Sequence, residues 1–142
     1  MSDAVQPTPL LLDLAERIGA VSPAWREELG FDLEHAEERT TGYALERGVA
    51  LGVEAIREGW LLHHERSRLL PEAGGDLRLL VGDWCYAAGL CEVSEHGTLD
   101  QVRVLAALVA DISARAAEAD DALESRWDDA LAALDSMSQP RL

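Results

Sequence analysis

Trp60-Leu-Leu-His-His-Glu-Arg-Ser-Arg68, then Pro71-Glu-Ala-Gly-Gly75, then Leu79-Leu-Val-Gly-Asp-Trp84: this stretch decides the fold. It reads as the end of one helix, a tight reversal and the opening of the next. Upstream, residues 43–70 keep a helical apolar pattern with glycines at 48, 52 and 59 inside it. Glycine costs a helix about 1 kcal/mol against alanine, so three in one helix predict the close approach of a neighbouring backbone. Downstream, Asp76 is expected to cap a helix that stops at Gly97 and buries a stripe of Leu77, Leu80, Val81, Trp84, Ala88 and Cys91.

Working outward, Thr98-Leu-Asp-Gln101 has the spacing of a capping box and is the strongest local start signal in the chain. It opens a helix with Val102, Leu105, Ala106, Val109, Ile112 and Ala116 on one face. That helix continues, or restarts near Asp120, through Trp127, Leu131 and Leu134. Towards the N-terminus, Leu10, Leu11, Leu14, Ala15 and Ile18 form a 3.6-residue stripe with Gly19 as its stop. Ser22-Pro23 starts a second helix, ended near Gly30, and Asp32 starts a further charged stretch through Arg39. No segment alternates like a strand. The expectation is an all-α single domain of about six helices over residues 8–136, with disordered tails at 1–7 and 137–142.

The chain has 142 residues and a formal charge of −15, and its 12 basic residues are all arginine. A surface this acidic repels phosphate backbones and anionic lipid, which disfavours nucleic-acid and membrane-surface roles. The N-terminus has no basic region ahead of its short apolar stretch, so no signal peptide is expected. The longest apolar run, residues 104–110, is too short to cross a bilayer. Cys85 and Cys91 are six apart, which on one helix separates them by about 9 Å and places them on different faces. Free, buried thiols in a reducing cytoplasm are the expectation.

In order, and over residues 43–118, these segments resemble two landmarks of the trans-polyprenyl diphosphate synthases. There a helix ends in an apolar pair, a histidine and an Asp-Asp-x-x-Asp magnesium motif, and a later apolar run closing in Gly-Asp opens the next long helix. Leu61-Leu62-His63 and Gly82-Asp83 match, whereas the three aspartate positions hold His64, Glu65 and Arg68. Magnesium needs hard anionic oxygens, and arginine brings charge of the wrong sign. Residues 69–76 contain no counterpart of the family's diphosphate-binding Arg-Arg-Gly segment, and no second aspartate-rich motif is expected within these 142 residues.

The resemblance therefore implies half of an isoprenoid synthase fold without catalytic residues, metal or cofactor. It is similar to the small subunit of heteromeric polyprenyl diphosphate synthases, which packs on a catalytic partner and helps set prenyl chain length. The contact residues implied are Trp84, Ala88 and Cys91, on the helix through which the family dimerises. The alternative is a homodimeric helical module that binds an apolar ligand or another protein. Asp120-Asp-Ala-Leu-Glu124, with Asp128 and Asp129 beyond it, reads as a solvated helix face, because no opposing carboxylates are identifiable. A metal site built from His63, His64, Glu65, Glu34 and His35 is disfavoured, since adjacent histidines on a helix point about 100° apart. No serine or cysteine lies in a glycine elbow or beside a convincing base.

Overall fold

The computed structural model describes residues 9–30, 36–64 and 66–138. They form six helices and, among the described residues, no strand: α1 (Leu10–Val21), α2 (Pro23–Glu28), α3 (Arg47–His63), α4 (Gly75–His96), α5 (Leu99–Ala114) and α6 (Asp120–Ser138). None of these helices is long and apolar enough to cross a membrane. The expected all-α bundle is thus what the chain forms.

Helix α3 is the centre of it. Every residue of α3 except Arg47, Arg57 and His63 is buried, the pattern of a helix covered on all sides. One flank of α3 packs with α1, α2, residues 69–73 and α4 around Leu14, Ile18, Leu62 and Val81. Its other flank packs with α5 and α6 around Ile56, Trp60, Leu105 and Trp127.

The α3–α4 seam is made by glycines. A Cβ placed on Gly52 would lie 2.7 Å from the Gly89 carbonyl, and one on Gly89 only 2.6 Å from the Gly52 carbonyl. A Cβ on Gly59 would come within 2.8 Å of the Gly82 carbonyl. Two backbones in such contact tolerate no side chain between them, which is why α3 carries glycines despite their cost to the helix.

That seam also corrects the expected α4 stripe. The buried face is Val81, Gly82, Cys85, Gly89 and Val93. Leu80 is 57% exposed, Cys91 is exposed, and Leu77, Trp84 and Ala88 are half-buried. On α5 the buried face is likewise turned, to Gln101, Leu105, Leu108 and Ile112, while Ala106 is exposed.

Helix ends follow local chemistry. Ser22 Oγ accepts from the Trp25 amide at 3.2 Å, as the Ser22-Pro23 signal predicts. Both halves of the Thr98–Gln101 capping box are present. Gly19 does not stop α1 but lies inside it, packed against Leu29. Helix α3 is shorter than the 43–70 pattern, because the Glu46 carboxylate accepts from the Gly48 and Val49 amides and so starts it there. Asp76 lies in the first turn of α4, with Gly74 at the cap. Residues 36–46 are not helical, and α6 runs two residues past the expected boundary at 136, to Ser138. Residues 137 and 138 of the expected tail at 137–142 belong to α6, and its remainder, the tail at 1–7 and the start at Asp32 lie outside the described residues.

Candidate functional site

The two landmark segments come together in space. His63, at the end of α3, makes a 3.0 Å contact from Nε2 to Asp83 Oδ1 on α4. Its ring stacks on Tyr86, centroids 5.4 Å apart, and rests against Gly82. Burial, with Asp83 and Cys85 nearby, pushes the Tyr86 hydroxyl well above its ordinary pKa. Gly82-Asp83 is therefore where α4 lies close enough to receive the end of α3.

Arg68 follows α3, and its guanidinium is tied to two carboxylates of that helix. Glu54 and Glu58 are one helical turn apart on the same face and are 0% exposed. Arg68 donates from Nη1 to Glu54 Oε1 at 2.8 Å and from Nε to Glu58 Oε1 at 2.9 Å. It also donates to the main-chain carbonyls of Glu37 and Glu54, at 2.9 and 3.1 Å. The remaining oxygen of Glu54 accepts from the Thr40 amide and hydroxyl, at 2.7 and 2.8 Å. That of Glu58 accepts from the Ser67 hydroxyl and the Leu69 amide. Burial alone would lower the Arg68 pKa, but Glu58 and Glu54 more than reverse this, so it lies above the ordinary arginine value. A buried carboxylate pair is the raw material of a cation site, and here the cation is the guanidinium itself. Sequence reasoning singled out Arg68 but missed Glu54 and Glu58. The available signal was two carboxylates at i, i+4 inside a mostly apolar helix.

Beside this triad, a cleft of about 600 Å³ separates the end of α3 and the 37–41 segment from α6. The acidic face of α6 is largely exposed, as expected, but three of its carboxylates have arginine partners. Asp120 meets Arg66 at 3.2 Å, Glu124 takes Arg57 with both oxygens, and Asp128 takes Arg39. The opposing set is arginine rather than carboxylate, a complement not sought in the sequence. Arg57 lies over the rings of Trp60 and Trp127, 4.6 and 5.1 Å from their centroids. Burial lowers its pKa, and Glu124 offsets only part of that. Among the described residues lining the cleft each arginine is paired: Arg39 with Asp128, Arg57 with Glu124, Arg66 with Asp120, and Arg68 with Glu54 and Glu58. The outer pairs, largely in solvent, contribute about 0–1 kcal/mol each. Leu123, Trp127, Leu131 and Leu134, all buried, hold α6.

The expected contact residues Trp84, Ala88 and Cys91 all line one shallow groove, of about 230 Å³, between α1, α3 and α4. Leu14, Leu51 and Ala55 complete its floor. Trp84 meets Trp25 edge-on, with centroids 6.0 Å apart. Both cysteines are free, but only Cys85 is buried, and burial raises its pKa well above the usual thiol value. Cys91 is exposed at the groove, which corrects the expectation of two buried thiols. Leu80, one turn before Trp84 on α4, is 57% exposed.

His63 and His64 diverge as expected, the second making a 2.7 Å contact from Nδ1 to the Trp60 carbonyl. Glu34, His35 and Glu65 lie outside the described residues. No family model, curated protein or solved structure matches the chain.

Proposed function

We propose that this chain is a non-catalytic helical subunit, a relative of the trans-polyprenyl diphosphate synthases that works by pairing through α4. The observation carrying the reading is Arg68. At the position of a magnesium ligand stands a guanidinium whose donors are committed to Glu54 and Glu58. Inserting a divalent cation there means breaking a buried, hydrogen-bonded ion triad, a change costing several kcal/mol. The contact of His63 with Asp83 supports the kinship, since the two segments that resemble the family are the two that meet.

Pairing is supported by the outward face of α4, where Leu80, Trp84, Ala87, Ala88 and Cys91 are exposed or half-exposed, with Arg17 and Glu92 at the edge of the groove. Contiguous exposed apolar residues mark interaction surfaces. In isolation the partner is a second copy, and in the cell it is a catalytic synthase chain whose product cavity this one helps to shape. The alternative, an apolar-ligand module, would use the groove beside Trp84. Its volume of about 230 Å³ is below the roughly 300–1,000 Å³ of ligand pockets and suits an inserted side chain better.

Purified protein incubated with an allylic diphosphate, isopentenyl diphosphate and magnesium should give no product. Turnover above a heat-killed control would overturn the non-catalytic reading.

A further inference from the structure

We propose that Glu92, Glu95 and His96, at the C-terminal end of α4, form a surface site for a divalent ion of the zinc class. One ligand atom from each of the three lies within 4.8 Å of the others. Glu92 and His96 are one turn apart and share a face of the helix. Glu95, next to His96, starts about 100° round the helix, yet its carboxylate still lies within 4.8 Å of both. His96 Nε2 is 3.4 Å from Glu92 Oε2. Two donors each about 2.1 Å from a tetrahedral ion are separated by about 3.4 Å, so this pair already has the spacing of neighbouring ligands.

Contacts outside the cluster fix its orientation. The other oxygen of Glu92 accepts from Arg17 of α1, which leaves Oε2 turned to the imidazole. The His96 ring is seated on Gly48 of α3, where even a Cβ would lie 2.2 Å from it. Such outer contacts hold metal ligands in place and set their basicity. The last turn of α4 adds the negative end of its helix dipole, in a chain of formal charge −15.

One imidazole and two carboxylates suit zinc, cobalt or nickel better than magnesium or calcium, which prefer oxygen alone. Three protein ligands leave a fourth position for water or an incoming group. Glu92 also lines the mouth of the Trp84 groove, so an ion here would lie at the edge of the α4 face. The inference stands on its own geometry and does not depend on the docking reading.

The test is calorimetric titration of the purified full chain with zinc chloride, alongside the visible spectrum with cobalt(II). The expected result is one site, with cobalt bands of nitrogen and oxygen ligation. Glu95→Gln, at an exposed position, and His96→Gln should each weaken binding at least tenfold, while His63→Gln should leave it unchanged. Glu95→Gln leaves the seat of His96 on Gly48 intact and so carries the test even if His96→Gln perturbs the fold. Absence of binding by the wild type up to millimolar zinc would overturn the site. So would Glu95→Gln and His96→Gln variants that bind as the wild type does.

Discussion

Gly89→Ala should destabilise the protein, although alanine is the better helix former by about 1 kcal/mol. The new methyl would lie 2.6 Å from the Gly52 carbonyl oxygen and 2.6 Å from Ile56 Cγ1. The first of these is backbone, and it can retreat only if α3 and α4 separate. Overpacking of this kind costs about 1–3 kcal/mol and occasionally more, which outweighs the gain in propensity. Gly89→Val adds two further methyl groups and should cost more still. Urea unfolding measures both. Gly30→Ala is the control, because nothing among the described residues lies within 4 Å of a Cβ there, and it should change stability by less than about 0.5 kcal/mol. A Gly89→Ala protein more stable than wild type would mean that the helices do not meet at this seam.

Arg68→Met should cost about 3–5 kcal/mol, since it leaves two buried carboxylates without their cation. Both are fully buried and both are held by further donors from Thr40, Ser67 and Leu69, so neither can turn to solvent for relief. Arg66→Met is the comparison. Its pair with Asp120 is largely exposed on both sides and should be worth no more than about 1 kcal/mol. Thermal or urea unfolding separates the two cases. A loss at position 68 as small as that at position 66 would show that Glu54 and Glu58 are not held as a buried triad.

The helices were legible because their punctuation is local. Ser22-Pro23, the turn at 71–75, Gly97 and the Thr98–Gln101 box each act within a few residues, and each ends or starts a helix in the structure. The facing of α4 was not legible from apolar residues. Its closest contact is between glycines, which a hydrophobic pattern ignores, so Leu80 and Cys91 were placed inward when they face out. The glycines of α3 did carry the signal, as an expected close approach, but only the structure names Gly82 and Gly89 as their partners. Arg68 drew notice only through the resemblance, which sets it at an aspartate position. Its partners Glu54 and Glu58 did not, because a carboxylate within an apolar helix reveals its burial only once the opposing cation is in place. Asp120, Glu124 and Asp128 stay largely exposed, and their pairing left no local signal because their arginines lie 54 to 89 residues away in sequence.

The reading of this chain as a subunit is tested most directly by sedimentation equilibrium of the wild type beside Leu80→Glu and Trp84→Glu. At roughly 50 µM, a concentration suited to a specific weak dimer, the wild type should sediment as a two-fold dimer with α4 helices in contact. Leu80 is exposed enough for its replacement to leave the fold intact, so Leu80→Glu should be a monomer with undiminished helical circular dichroism. Trp84→Glu should behave alike, with some loss of stability from its contact with Trp25. A monomeric wild type, or a Leu80→Glu protein that pairs as tightly as the wild type, would contradict association through this face.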